Sequence, residues 1–377
     1  MNGKKSTAGM AAVMKAFFMS NKNQNRLFSV VRTLIAILIS LGIVFIIILL
    51  VSKEPTKALA AFIGGPFTSV RRMGNVVETA IPLIFTGLAA CVMFQAKQFS
   101  LIGDGGFFFG SLIAVTFVLN TGIGASLGPA GALIVGTIVG GLCGIIPGFL
   151  KAKWNTNEFV VSMMFNYVLV FIGLFILLNV IRDPNSGFLA SFSIPDSARL
   201  LRFVKGTKIH LGLIIALAMV VVVTILLYKT KWGYAIRMTG SNKQFAEYSG
   251  INTFMVIFMC QVIGGAIAGM GGTAEILGMY DRFQWQDTPG YGFDGMTVAI
   301  LAANNPALVP LGAFFLAYLR VGTDIMARTN DVPNEAVYII QGIVMLLVTA
   351  AAFLSRWKHK MVVHSTKALK EAQQEEA

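Results

Sequence analysis

Apolar positions in this chain come in long unbroken runs. No charged residue falls within 33–52, 79–96, 105–150, 159–181, 209–228, 248–274, 295–319 or 336–355. A helix needs about 20 apolar residues to cross the hydrocarbon core of a bilayer, and most of these runs are of that order. The run 105–150 is too long for one crossing and is interrupted by "GIGASLGPAG", so it reads as two helices. Open strands would leave unpaired backbone groups in lipid, and the short alternating segments of a membrane barrel are absent. The pattern predicts an all-α polytopic membrane protein of about ten spans. They fall near 31–52, 79–96, 101–120, 128–150, 158–181, 209–228, 254–275, 292–303, 307–322 and 336–355. Asn304, Asn305 and Pro306 break the eighth from the ninth. The chain then divides into a basic tail at 1–30, a transmembrane domain at 31–355 and a second tail at 356–377. The longest polar connections are 182–208 and 229–253.

Composition supports this reading. Hydrophobic residues make up 56% of the chain and charged residues 12%, where a soluble domain is about one quarter charged. The first apolar run begins too far along and is too long for a cleaved signal peptide, and no small-residue cleavage site follows it. Lys and Arg gather in the first tail, at Lys97, at Lys151 and Lys153, in 229–253 and in the last tail. The positive-inside rule places these segments and both termini in the cytoplasm, and 182–208 outside. Arg71, Arg72 and the basic patch at 199–208 weaken the bias. The net charge of +13 therefore reads as membrane anchoring against lipid. No nucleic-acid partner is expected, because no basic stripe is interleaved with aromatics.

Other chemistry is sparse. Cys91, Cys143 and Cys260 fall inside predicted spans and read as packing residues. His210, His359 and His364 have no metal-ligand spacing, and no catalytic residues are identified. The phosphate-loop pattern is absent, so no cofactor is expected in this chain. The 39 glycines cluster in "GALIVGTIVGGLCGIIPG" and "GGAIAGMGG", where small residues allow helices to approach closely. Polar groups at membrane depth are costly and often functional. Here they are Asp104, Asn157, Glu158, Asn166, Gln261, Glu275 and Asp294. Asp104 and Asp294 each stand beside glycines at a helix start, as caps of free N–H groups would. Asn166 and Gln261 either bridge helices or line a polar path.

Four blocks carry a resemblance. "GYGFDGMTVAILAANNPALVPLGAFFLAYLRVG" at 290–322 resembles the C-terminal signature of permeases of bacterial ABC importers for simple sugars and nucleosides, part of the branched-chain amino acid and ribose permease group. The block at 80–114 is similar at Pro82, Thr86, Gly87, Leu88, Ile102, Gly103, Gly106 and Gly110. "NEFVVSMMFNY" matches at Asn157, Glu158, Asn166 and Tyr167. The polar segment 229–253 matches at Gly233, Arg237, Gly240, Asn242, Ala246, Gly250 and Ile251. Leu101 departs from the family pattern, and Gly105, Gly106 and Phe107 stand where the family has Glu-Gly-Gln.

The resemblance implies a type II importer-like permease of the bacterial cytoplasmic membrane, with two related halves hinted at by "DGGFFFGSLIAV" and "DGMTVAILAA". It implies a separate ATPase subunit that binds ATP and Mg, an external substrate-binding protein or lipoprotein, and a second permease, identical or homologous. The loop 229–253 would carry a coupling helix that docks in the ATPase, with Arg237, Gly240, Asn242, Ala246 and Gly250 forming it. Asn242 or Ser241 can cap such a helix and Gly250 can end it. Bulky residues at Gly240 or Ala246 are then expected to spare folding and impair transport. The implied substrate is a nucleoside or a simple sugar. Asn166, Gln261, Phe165, Phe107 and Phe293 would supply amides and ring faces to its path. An ion-driven carrier, a membrane enzyme, or the same permease role with a branched-chain amino acid are the competing readings.

Overall fold

The computed structural model describes residues 54–121, 124–204 and 206–329, with a few isolated positions in 42–49 and 339–346. The predicted first and tenth spans, 31–52 and 336–355, and both tails lie outside these residues. The described elements are helical; strand-like pairing is limited to the isolated bridges Arg182–Ser191 and Arg202–His210.

Among the described residues, eleven α-helices follow in order: α1 Pro55–Gly64, α2 Val70–Gln95, α3 Ile102–Thr121, α4 Gly124–Trp154, α5 Glu158–Asn179, α6 Gly212–Lys229, α7 Lys231–Ser241, α8 Lys243–Tyr248, α9 Thr253–Met279, α10 Tyr291–Leu301 and α11 Val309–Thr329. Seven of them are long and apolar enough to cross a membrane: α2 to α6, α9 and α11, the last counted from Pro306. The chain is a multi-pass membrane protein. Residues 60–326 form one compact unit, whose interior is described below.

Local chemistry sets the helix ends. α2 starts nine residues before the predicted 79, because Ser69 caps it by accepting from Arg72 N at 3.2 Å. Pro82 lies within α2, and the Thr86 hydroxyl bonds back to the Pro82 carbonyl at 3.0 Å. Asn157 caps α5 and Asn252 caps α9. Gly128, at φ 56°, kinks the start of α4. α10 has only 11 residues, so it is about 16 Å long and covers half a bilayer.

The centre of the unit is α9, packed on α4, α3 and α2. Gly136, Gly140, Gly144 and Gly148 of α4 form a seam against it. A Cβ on Gly140 would lie 2.8 Å from Gly269 Cα, and one on Gly148 would lie 3.0 Å from the Phe258 carbonyl. Neighbouring backbones touch directly, as small residues permit in lipid. α10 descends beside α2, with Gly295 against Thr86 and Val298 against Gly87.

The connections collect at two ends. At one end, Lys97 Nζ donates to Ser241 O at 3.2 Å, Gln95 Nε2 to Asn304 O at 2.8 Å and Phe99 N to Glu158 Oε1 at 3.1 Å. Lys151 pairs with Glu158 at 2.8 Å at that same end. At the other, residues 182–208 are strapped to 277–283. Ser191 N bonds Phe283 O at 2.9 Å, Ile194 N bonds Asp281 O at 2.9 Å and Leu200 N bonds Leu277 O at 3.1 Å. Arg199 pairs with Asp281 at 2.8 Å, and Arg282 pairs with Asp183. The Arg282 guanidinium, with Asn185 N–H, holds the Asp183 carboxyl below its ordinary range.

Candidate functional site

Between α9 and α10 the chain runs without regular structure through 280–290, then turns at Gly290, φ 77°, into the half-helix α10. A left-handed turn of this kind suits glycine, which has no Cβ to clash. The free N–H groups at the start of α10 lie within the bundle and need an acceptor. Asp104, from the first turn of α3, supplies it: Oδ1 accepts from Gly292 N at 2.9 Å. The two segments that echo each other in sequence thus begin side by side. Asp104 caps the neighbouring helix, where the sequence suggested its own. Asp294, one turn on, is 3% exposed and is ion-paired with Arg320 of α11.

Arg320 is a site residue the sequence reading missed. A lone cation in an apolar run, with an acid available on a neighbouring helix, is the signal that could have found it. Its guanidinium also stands 6.0 Å from the centre of the Tyr291 ring.

Aromatic rings continue from there. Phe107 lies 5.2 Å from Tyr291 and is stacked at 5.6 Å on Trp285, which meets Tyr280 and Phe283 at 5.6 Å each. Phe107 and Phe283 are fully buried, while Tyr280, Trp285 and Tyr291 are partly exposed. Glu275, in the penultimate turn of α9, is 1% exposed, and neither of its carboxylate oxygens has a hydrogen-bond partner. Glu78, Lys208, Tyr280 and Tyr291 are within its electrostatic reach. Glu78 accepts from Lys208 N, and Lys208 Nζ donates to Met279 O at 3.3 Å. Burial and the Glu275 charge push the Tyr280 phenol up. Charged groups and aromatic rings therefore form one continuous cluster from Glu78 to Asp104, beneath the 182–208 strap.

The five predicted path residues do not converge on one cavity. Gln261 Nε2 donates to Gln98 Oε1 at 2.7 Å, and Gln98 Nε2 donates to Ile257 O at 3.1 Å. Asn166 Nδ2 donates to Leu101 O at 2.9 Å. Both amides tie down the irregular segment 96–101, so they act as bridges; each keeps one free oxygen, Asn166 Oδ1 and Gln261 Oε1. Phe165 packs on Met93, Ile102, Cys143 and Leu169. Phe107 belongs to the aromatic cluster, and Phe293 is 54% exposed on α10.

At the opposite end, 229–253 forms two helices where the sequence suggested one. Thr230 caps α7 through Gly233 N at 3.0 Å. Asn242 caps α8, accepting from Phe245 N at 3.1 Å, and Gly250, φ 79°, ends it. Arg237 lies over the Tyr228 ring at 5.3 Å. Gly240 and Ala246 face inward: Ala246 is 0% exposed, and a Cβ on Gly240 would strike the Gln95 carbonyl. The expectation that bulky residues there spare folding is corrected by this packing. The outward face of α8 carries Phe245, 54% exposed, and Tyr248, 93% exposed.

Comparison with known proteins places the chain. Residues 72–349 match the family described as branched-chain amino acid transport system, permease component. The guanosine ABC transporter permease protein NupP of Bacillus subtilis is 30% identical over 327 residues, covering 84% of this chain and 92% of that one. The glucose ABC transporter permease protein TsgB13 of Haloferax volcanii is 28% identical over 339 residues, 86% of this chain and 88% of its own. The nucleoside ABC transporter permease protein NupB of Lactococcus lactis is 28% identical over 341 residues, 88% and 92%. With the family match spanning most of the chain and relatives aligned along most of their length, this protein belongs to the branched-chain amino acid transport-type permease family: it is an ABC transporter permease, a transport subunit and not an enzyme.

Proposed function

We propose that the chain forms the translocation path for a nucleoside, or for a simple sugar, in an ATP-driven importer. The names of three relatives, with guanosine, nucleoside and glucose as cargo, support this choice over a branched-chain amino acid. So does the chemistry of the cluster at 275–294, where carboxylates and ring faces suit a neutral polar ring compound. Among the described residues, charge at membrane depth is sparse: Asp294 is ion-paired, Glu78 and Asp104 are bonded to backbone N–H groups, and Glu275 is without a partner; this sparseness disfavours a strongly charged cargo.

The observation that carries the coupling half of the proposal is α8. Its six residues are too few to hold a helix alone, yet it presents Phe245 and Tyr248 to the outside. A separate ATPase subunit, binding ATP and Mg, docks there; an external binding protein delivers cargo at the 182–208 end, and a second permease completes the pore. This orientation places 229–253 and both termini in the cytoplasm, with the protein in the cell membrane. Asn242 and Gly250 define α8, while Gly240, Ala246 and Arg237 seat it. Of the path residues, Phe107 and Phe293 lie along the route, whereas Asn166 and Gln261 shape its wall next to Phe165.

The test is uptake of labelled guanosine, glucose and leucine by cells with and without the gene. Dependence of guanosine or glucose uptake on the gene is expected. Dependence of leucine alone would sink the substrate assignment.

A further inference from the structure

Among the described residues, every other buried carboxylate has a partner. Glu78 accepts from Lys208 N, Asp104 accepts from Gly292 N, Asp294 pairs with Arg320 and Asp183 pairs with Arg282. Glu275 is the exception: it is 1% exposed, with both oxygens free of hydrogen bonds. An unpartnered buried carboxylate is costly and calls for an explanation beyond packing. An apolar residue would fill the same volume of α9 without that cost.

Two bland explanations fail on the geometry. A structural ion pair is not formed: Lys208, the cation within electrostatic reach, directs its ammonium to Met279 O and makes no salt bridge with Glu275. A metal site would need several anionic or neutral ligands. Only Glu78 joins Glu275, Lys208 adds positive charge beside them, and no group of three potential ligands occurs among the described residues.

The surroundings match a different ligand. A carboxylate is an acceptor-only group with two oxygens side by side, which suits two adjacent hydroxyls of one ring. Tyr280 and Tyr291 lie within its electrostatic reach, and Trp285 meets Tyr280 at 5.6 Å; all three are partly exposed, with ring faces on which the apolar side of a sugar or a base can rest. Glu275 also lies at the strap end, where the proposed orientation delivers cargo.

Resting on the functional reading above, we propose that Glu275 is a transient binding station in the path, accepting hydrogen bonds from a vicinal diol of the ribose or hexose. Trp285 and Tyr291 hold the ring beside it. In the present conformation the carboxylate is sealed, so binding follows when Tyr280 and Trp285, both on the irregular 280–290 segment, turn aside. The station acts on passage; it sets the rate at which a hydroxylated ring moves on from the binding protein.

The experiment uses the complete transporter in proteoliposomes, with its ATPase and a saturating amount of its binding protein. Maximal uptake is measured for guanosine and for 2′,3′-dideoxyguanosine, or for glucose and a deoxyglucose lacking one hydroxyl of the diol if glucose is the cargo. Glu275→Leu is expected to lower the maximal rate for the diol about tenfold and to leave the deoxy analogue's rate unchanged. Glu275→Gln, close in shape, is expected to narrow the diol preference in the same direction if the leucine variant does not fold. Equal losses for both compounds, or no loss for either, would overturn the proposal while leaving the functional reading standing. If the wild type carries neither guanosine nor glucose, both fall together.

Discussion

Arg320 on α11 and Asp294 on α10 form an ion pair inside the bundle, Asp294 almost fully buried and Arg320 about a quarter exposed. The pair ties a full-length span to the half-helix that follows the irregular 280–290 segment. Removing one partner strands the other charge. Arg320→Ala and Asp294→Ala should each destabilise the protein by about 3–5 kcal/mol. The double variant Arg320→Met, Asp294→Leu should recover most of that loss. Thermal unfolding of the purified protein in detergent separates these cases; an additive double variant would show that the two charges act independently.

The α4–α9 seam predicts sharp sensitivity to small changes. Gly140→Ala places a methyl group against Gly265 O and Gly269 Cα. It should cost about 1–3 kcal/mol, and Gly140→Leu more. Gly187, with nothing within 4 Å of a built Cβ, is the control: Gly187→Ala should stay within about 0.5 kcal/mol. Expression level and melting temperature of the three variants check this.

On the proposed docking at α8, Phe245→Ala and Tyr248→Ala should leave folding intact and abolish stimulation of the ATPase subunit by cargo. Gly240→Leu should behave in the opposite way, lowering the amount of folded permease. Normal coupling in the Phe245 and Tyr248 double variant would move the docking surface elsewhere.

His210 makes stability depend on pH. It is 1% exposed, its Nδ1 accepts from Gly212 N at 3.1 Å, and burial with the nearby Arg202 charge pushes its pKa from 6.5 to about 4. The neutral ring is the stabilising form. Its contribution is complete above about pH 6.5 and is lost as the pH falls toward 4, by roughly 1.4 kcal/mol per pH unit. Asp183, held low by Arg282, begins to lose its own contribution only below its ordinary carboxylate range. Melting at pH 7.5 and 5.5 should therefore differ, and His210→Gln should flatten the difference.

Much of this architecture is written in the apolar runs, because crossing a bilayer imposes a length and forbids charge. The run 248–274 marked α9, and Gly250 and Asn242 marked the ends of α8. Asn304 and Asn305 marked the foot of α10. What stayed hidden depends on contacts between distant residues. "YDRFQWQDTPGYG" is polar and irregular in sequence, and only its return into the bundle brings Trp285 onto Phe107. Nothing local says that Asp104 will cap α10, or that 182–208 will be fastened to 277–283. The inward face of Ala246 was equally hidden, since a six-residue helix has too few positions to reveal a stripe.

The glycine seam also fixes where the molecule can bend. With almost no side chains between them, α4 and α9 have nothing to repack; a slip of one residue would drive Ile or Leu into a backbone. The two helices have a single register and behave as one beam. Compliance is left to chain without helical bonds, and among such stretches are 96–101, held to α9 and α5 through Gln261 and Asn166, and 280–290, which continues from α9 and carries Tyr280 and Trp285. For a transport cycle, the seam is the part expected to move as one piece, and the irregular stretches beside it the parts expected to give.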